Sequence, residues 1–253
     1  MRGRSLARKA LRTGYYWPTM QEDSKEHPWP FAWWGMDILG PFTTGLLQNR
    51  YLIIGINYFT KWIEAEPLSE ITSFRVLRFF KRDILALFGI PQAVVTDNGT
   101  QFTDKKFQEF IVAINTKQHF TSVEHPQTNG QAKAANRVIL RGLKRRLNEN
   151  KKNWVEELEN VLWAYRTTPH STTGETPFRL VYGTEAVIPV EIGEPSRRTE
   201  QPLEEEMNDE ALREELDLVE EIRTGASLRE ETLKQKIAAR YDTKVIKRDF
   251  DFG

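Results

Sequence analysis

VVTDNGTQFT, residues 94–103, is the stretch that decides the fold of this chain of 253 residues. An apolar, β-branched run over residues 93–96 leads into Asp97, and an Asn-Gly pair then turns the chain, which predicts a buried strand followed by a tight loop. Residues 33–39 (WWGMDIL) form a second apolar run that carries a single charge, Asp37. A carboxylate in a core strand is costly unless it is paired or bound to a metal ion, so both aspartates are candidate site residues. A turn residue and a strand-end cap remain the plainer alternative for them.

The remaining pattern surrounds these two strands with further strands and with helices. Strands first, and then helices alternating with strands, predict a mixed sheet with helices on its faces. If the two aspartate-bearing strands are neighbours, a divalent cation between the carboxylates would offset their repulsion. The other predicted elements, in chain order, are strands over 51–58 and 61–68, a helix over 73–88 capped by Ser73, a helix over 104–114, a strand over 117–120, a loop over 125–130, and helices over 131–147 and 154–165.

Composition limits the kinds of site that the chain can contain. It has no cysteine, which excludes disulfides and thiolate zinc sites, and its four histidines include no pair spaced i, i+4. Any metal is therefore expected to be a hard cation held by carboxylates, with no zinc. Hydrophobic residues make up 39% and charged residues 28%, as in a globular protein. No apolar run approaches the roughly 18 residues that cross a bilayer, so no membrane partner and an intracellular location are expected.

The net charge of zero hides three segments of different charge. Residues 1–26 carry +3, residues 27–190 carry +4 and residues 191–253 carry −7. Good helix formers with apolar residues at helical spacing predict a long surface helix over residues 200–238. A strand-like pattern then begins at Tyr241. We expect a globular body over the middle segment and an acidic helical extension after it.

The predicted helix over residues 131–147 carries an excess of positive charge. Eight basic side chains and one acidic side chain lie between residues 133 and 152. A solvated helix face usually mixes charges of both signs, so this imbalance predicts contact with phosphates, with an ordinary surface helix as the alternative. The candidate DNA-binding residues on this helix are Arg137, Arg141, Lys144 and Arg145.

Five stretches follow one another in a distinctive order. They are WGMDILGPF (34–42), YFTKWIEAEPL (58–68), VVTDNGTQFT (94–103), SVEHPQTNGQAKAANRVILRGLKRRL (122–147) and WAYRTTPHSTTGETPFRLVYG (163–183). Together they resemble the integrase core of gypsy-type LTR retrotransposons of plants, almost continuously from about residue 29 to residue 190. The resemblance implies an RNase H-like α/β fold, a mixed five-stranded sheet flanked by helices, with the acidic helical segment as a C-terminal extension.

The resemblance also implies an activity and the residues that perform it. Integrases of this kind transfer DNA strands with Mg²⁺ or Mn²⁺ ions held by an Asp, a second Asp and a Glu. The two aspartates match Asp37 and Asp97, which are thereby the implied catalytic and metal-binding residues. The third position lies 36 residues after Asp97, where the family pattern GQAE is GQAK and Lys133 replaces the glutamate. A protonated lysine offers no lone pair and repels a cation, so weakened metal binding and impaired catalysis are expected.

Further expectations rest on the same resemblance. Asn129, Gly130 and Gln131 match the loop that approaches DNA beside the active site. DNA is the implied partner, with possible homo-oligomers through the core and a nuclear location. Residues 1–26 are expected to be a remnant of the N-terminal integrase region without its zinc ligands, residues 27–190 the catalytic core, and residues 191–253 a helical connector with a truncated start of the C-terminal domain.

Two alternatives to an impaired integrase stay open. One is a metal-dependent nuclease that tolerates Lys133, and the other is a non-enzymatic protein of transposon origin that binds DNA or assists assembly. The aromatic side chains expected to be core anchors rather than platforms for base stacking are Trp33, Trp34, Trp62, Trp154 and Trp163.

Overall fold

The structure, a computed structural model, describes four parts of the chain. These are residues 30–121, 126–146, 153–186 and 205–242, with side chains described throughout except at 126–132, 205–217 and 238–242. The predicted remnant over residues 1–26 and the strand-like pattern beyond residue 242 lie outside the described residues.

Within these parts, five strands form one mixed sheet in the order β3–β2–β1–β4–β5. The strands are β1 (Trp33–Leu39), β2 (Tyr51–Asn57), β3 (Ile63–Leu68), β4 (Ala93–Thr96) and β5 (Lys117–Phe120). Strand β1 pairs antiparallel with β2 and parallel with β4, and β5 pairs parallel with β4. The predicted mixed five-stranded sheet is confirmed. Strand β1, which carries Asp37, and strand β4, which precedes Asp97, are neighbours, as predicted.

Helices cover both faces of the sheet. They are α1 (Ser73–Phe79, continued by a π-helical segment, Phe80–Leu85, and a last turn, Ala86–Phe88), α2 (Thr100–Thr103), α3 (Lys105–Ala113), α4 (Pro126–Arg146), α5 (Trp154–Arg166), α6 (Pro177–Tyr182) and α7 (Glu205–Asp242). Among the helices of the described parts, none is long and apolar enough to cross a membrane.

Two hydrophobic clusters fill the space between the sheet and the helices. Met36 and Val94 belong to the cluster that packs against α1 and α3, whereas Ile54 belongs to the cluster that packs against α4 and α5. Successive residues of a strand point to opposite faces, so sheet strands buried on both sides need apolar residues at every position. Asp37, next to Met36, consequently faces the side of the sheet on which α4 lies.

Three local predictions were wrong for identifiable reasons. Helix α4 begins at Pro126, so residues 126–130 are helical rather than a loop, because proline has no N–H to lose in a first helical turn and its φ suits the helix. The cap of α1 is Thr72 rather than Ser73, since the Thr72 side chain accepts a hydrogen bond from the Arg75 backbone N–H. Residues 241–242 end helix α7 instead of starting a strand.

The buried face of residues 73–88 does not follow one regular helical period. Phe74 and Leu87 are exposed, while Phe79, Phe80 and Ile84 are fully buried. The π-helical segment has wider turns than an α-helix and therefore rotates the buried face between the two ends of the helix. A uniform period of 3.6 residues cannot anticipate that rotation.

The tryptophans divide into two groups. Trp34, Trp62 and Trp154 are buried, as predicted, but Trp33 and Trp163 are 41% and 40% exposed. Trp33 stacks on His119 of the edge strand β5, with 5.3 Å between ring centroids. Trp163 lies on the outer side of α5. The prediction that all five are core anchors was therefore wrong for these two residues.

Helix α7 confirms the predicted helical C-terminal segment and packs on the core. Val219 and Ala226 are buried on its inner side. The Arg223 guanidinium donates hydrogen bonds from Nε to the Leu180 carbonyl (3.0 Å) and from Nη2 to the Val181 carbonyl (3.1 Å). These carbonyls belong to α6, so α7 is fastened to the short helix that precedes it in the described chain.

Candidate active site

Asp37 lies on β1, and Asp97 directly follows the neighbouring strand β4. Gly35 of β1 is paired with Val95 of β4 in parallel register, and each aspartate follows its paired residue by two positions. Neighbouring strands are about 4.8 Å apart, so the two carboxylates lie side by side at the same edge of the sheet. The sheet therefore holds two hard oxygen donors together where β4 opens into its loop.

The carboxylate of Asp37 is held by two hydrogen bonds. Its Oδ1 accepts from the Ile38 backbone N–H at 2.9 Å, and its Oδ2 accepts from Nδ2 of Asn136 at 2.6 Å. Burial raises the pKa of Asp37, the two hydrogen bonds lower it, the negative charge of Asp97 raises it and the positive charge of Lys133 lowers it, with a net upward shift. The charges of both Asp97 and Lys133 therefore affect the pKa of Asp37.

Asp97 has a turn role in addition to its position beside Asp37. Its Oδ1 accepts a hydrogen bond from the Gly99 backbone N–H at 2.9 Å, closing an Asx-turn. A Cβ on Gly99 would lie 2.8 Å from that same oxygen, so the loop needs glycine to close on the carboxylate. The turn occupies one carboxylate oxygen, and within the described chain Oδ2 accepts no hydrogen bond.

Lys133 lies on α4 and is exposed. It precedes Asn136 by three residues, which places both on one side of the helix. Its positive charge acts on Asp37, so the ammonium lies near that carboxylate. In the part of the chain that the structure describes, no three His, Cys, Asp or Glu side chains come together as a metal site.

Two residues of this site were missed from the sequence. Asn136 is buried against Asp37, and the helical spacing from Lys133 could have indicated it. Tyr58 lies against Gly35, where an added Cβ would be 2.6 Å from Cε1 of the tyrosine ring. Burial and the negative charge of Asp37 raise the Tyr58 pKa. No sequence signal indicated Tyr58, because it follows the end of β2 and approaches β1 only through the sheet.

A row of positive side chains, here called the basic stripe, follows the outer side of α4. The basic stripe consists of Arg137, Arg141, Lys144 and Arg145, all exposed. Within the described residues none of the four makes an ion pair, whereas Arg146 pairs with Glu157 at 3.4 Å. At 1.5 Å per residue the stripe extends about 12 Å along the helix. Its charge is therefore available to a ligand.

The three residues predicted to approach DNA lie in the first turns of α4. Asn129, Gly130 and Gln131 have helical backbone, and their side chains lie outside the described residues. The structure therefore brings their backbone onto the same helix as Lys133 and the basic stripe.

Residues 27–126 match the protein-family model described as the Integrase core domain. Over these residues the chain has the sequence pattern of an integrase core. The matched segment includes all five strands together with Asp37 and Asp97, and it ends where α4 begins. The prediction of an integrase core is confirmed to that extent.

Curated relatives and a solved structure agree with this assignment. The chain is 30% identical over 144 residues to the Gag-Pol polyprotein of avian reticuloendotheliosis virus, a match that covers 57% of this chain and 12% of that protein. It is 26% identical over 192 residues to the Transposon Tf2-3 polyprotein of Schizosaccharomyces pombe, covering 75% and 14%. The match therefore spans only about an eighth of the length of these relatives.

The solved structure is a cryo-EM structure of the simian T-cell lymphotropic virus intasome in complex with the PP2A regulatory subunit B56 gamma. The match has a TM-score of 0.52 at 15% sequence identity and covers 79% of this chain and 77% of that chain. At this identity the likeness concerns the fold alone.

Proposed function

We propose that this integrase core comes from a gypsy-type LTR retrotransposon of plants, binds DNA along α4, and is impaired in strand transfer. The observation that carries the proposal is Lys133, whose positive charge acts on Asp37 in place of a third carboxylate. A lysine there removes one negative ligand and adds one positive charge, a change of two charge units at a site that works by holding cations. The gypsy assignment rests on the five sequence stretches.

The residues present fit a hard divalent cation, although weakly. Asp37 and Asp97 supply carboxylate oxygens, the ligands that Mg²⁺ and Mn²⁺ prefer, and the buried Oδ1 of Asn136 has no hydrogen-bond donor among the described residues. When bound, the cations of such a site activate the attacking hydroxyl and stabilise the leaving oxygen. The chain's own groups position the carboxylates, while the ammonium of Lys133 opposes cation binding.

DNA binding is proposed to survive the loss of chemistry. The basic stripe is exposed and unpaired within the described residues, so its charges can contact phosphates without first breaking an ion pair. Lys133 adds one more positive charge at the end of the stripe nearest the carboxylates. The match to the Integrase core domain supports DNA as the partner, and a nuclear location and a homo-oligomer of cores follow as parts of the same proposal.

A strand-processing assay tests the catalytic part. The chain and its Lys133→Glu variant are incubated with labelled double-stranded ends of a long terminal repeat, in Mg²⁺ and in Mn²⁺. We expect no product from the original chain and metal-dependent product from the variant, abolished again by adding Asp97→Asn. Robust processing by the original chain would contradict impairment and favour the nuclease that tolerates Lys133.

A salt titration tests the DNA-binding part. Fluorescence anisotropy with a duplex is measured for the Arg141→Glu, Lys144→Glu double variant. A matched control reverses the same charge at Lys105 and Lys106, which are exposed on α3 at the opposite face of the sheet. We expect the stripe variant to bind weakly and to reduce the slope of log affinity against log salt by about 2, with little change in the control. Equal losses of DNA affinity in both variants, or no DNA binding at low salt, would contradict the proposal that the basic stripe binds DNA.

A further inference from the structure

Only the nitrogen of the Asn136 side-chain amide has a hydrogen-bond partner among the described residues. The residue is 6% exposed, and its Nδ2 donates to Oδ2 of Asp37 at 2.6 Å. Its Oδ1 is buried and has no hydrogen-bond partner among the described residues. A buried acceptor without a partner is unfavourable, so such an atom beside a carboxylate calls for a ligand.

The orientation of this amide is fixed from both sides. Ala135 and Ile139 are buried in the core, so the neighbouring turns of α4 cannot rotate Asn136 outwards. Exchanging Oδ1 and Nδ2 would bring an acceptor against the acceptor Oδ2 of Asp37, which is unfavourable. Because Oδ1 shares a carbon with Nδ2, it must remain beside the Asp37 carboxylate, where a cation is the complementary group.

We propose that Oδ1 of Asn136 is a third oxygen ligand for a divalent cation, acting with Asp37 and Asp97 in place of the carboxylate absent at residue 133. Asn136 follows Lys133 by three residues, so the donor moves about 4.5 Å along the helix axis and stays on the same side of α4. Amide carbonyl oxygens are ordinary ligands of hard cations. The inference deepens the proposed impairment and rests on it.

Replacing a glutamate carboxylate by the amide oxygen of Asn136 would let the site bind a divalent cation, but only weakly. An amide oxygen carries no formal charge, so the donor set has two negative charges instead of three, and Lys133 subtracts one more nearby. One cation at the Asp37 side is therefore favoured over a pair. The competing explanation is that Asn136 only clamps Asp37 through Nδ2 and that its Oδ1 never meets a cation.

Binding of Mn²⁺ separates these explanations without any catalytic assay. Free and bound Mn²⁺ are measured by electron paramagnetic resonance during titration of the full chain and of the Asn136→Asp, Asn136→Ala and Asp97→Asn variants. Asn160→Asp serves as the matched control, because Asn160 is exposed on α5 and its side chain donates to Glu157, away from Asp37. We expect weak binding by the original chain, roughly tenfold tighter binding by Asn136→Asp, and loss in the other two site variants.

The outcomes that overturn the proposal are equally specific. No bound Mn²⁺ in the original chain at millimolar concentrations, or the same affinity in Asn136→Asp and Asn160→Asp, would show that the amide is only a clamp. Asp97→Asn retains the hydrogen bond between Asn136 and Asp37, so it tests the cation site even if Asn136→Ala folds poorly. Anisotropy in metal-free buffer measures DNA binding by the basic stripe independently of the cation site. A failed cation proposal therefore leaves the DNA-binding proposal intact, and a failed DNA-binding proposal leaves the cation proposal intact.

Discussion

Nζ of Lys61 lies 3.0 Å from both carboxylate oxygens of Glu230, a residue 169 positions later in the chain. The lysine side chain is 4% exposed and the glutamate side chain 13% exposed. The same Nζ donates to the Tyr58 carbonyl at 2.6 Å, and Lys234 adds a second ion pair to Glu230 at 3.0 Å. This buried pair joins α7 to the turn between β2 and β3.

Removing the negative partner should destabilise the fold. Glu230→Gln removes the negative charge beside the buried ammonium of Lys61, and breaking a buried pair in this way typically costs about 3 kcal/mol. The free energy of unfolding from urea titration measures the loss. Glu221→Gln on the exposed side of α7 is the control and should change it little. Equal values for the two variants would mean that the pair contributes no more than a surface charge.

His170 should make the stability depend on pH in mildly acidic solution. Burial and the positive charge of Lys61 lower the pKa of His170 below 6.5, against an opposing contribution from Glu230. A histidine with a lowered folded pKa favours the fold when neutral, so its contribution is complete above pH 6.5 and is lost as pH falls through the folded pKa. Unfolding free energies measured across this window should decline, and His170→Asn should flatten the decline. An unchanged slope in the variant would assign the decline to other groups.

Two helical glycines should respond oppositely to the same substitution. A Cβ on Gly142 of α4 would lie 2.7 Å from Cγ1 of Val161 on α5, whereas a Cβ on Gly225 of α7 would meet nothing within 4 Å. Alanine is favoured over glycine by about 1 kcal/mol inside a helix. Gly225→Ala should therefore raise the thermal midpoint, and Gly142→Ala should lower it because α4 and α5 must separate. A higher thermal midpoint in both variants would show that α4 and α5 can move apart without loss of stability.

Restoring the third carboxylate should make stability depend on divalent cations. Without metal, Lys133→Glu adds a negative charge beside Asp37 and should lower the thermal midpoint. Each tenfold gain in affinity for Mg²⁺ adds about 1.4 kcal/mol of stability at saturating concentration, so the variant should gain more from Mg²⁺ than the original chain does. Arg137→Glu is the control, with the same charge reversal one turn further along α4. If Mg²⁺ stabilises both variants equally, general charge screening is responsible.

The sequence predicted the features that depend on local pattern. The strand bounds around Asp37 and the strand before Asp97 agree with the structure, because apolar runs ending at turn residues specify short buried strands. It missed features that depend on tertiary contact. The rotation of the α1 face by its π-helical segment, and the approach of Tyr58 to Gly35, arise only when the sheet assembles.

The candidate site shows the same division. Asp37 and Asp97 could be placed together once their strands were taken as neighbours, but the hydrogen bond from Asn136 joins residues 99 positions apart and needed the structure. The helix start at Pro126 was missed because residues 126–130 have the composition of a loop, and proline favours the first turn of a helix as well as a turn.

The exposure of Lys133 on α4 has a genetic consequence. A side chain at the helix surface can change without repacking the core, so the fold accommodates either lysine or glutamate there. Both lysine codons become glutamate codons when their first base changes from A to G. Under the proposed function, a single transition therefore separates a gene copy with an impaired site from one with all three carboxylates. The change in either direction keeps the reading frame and the fold.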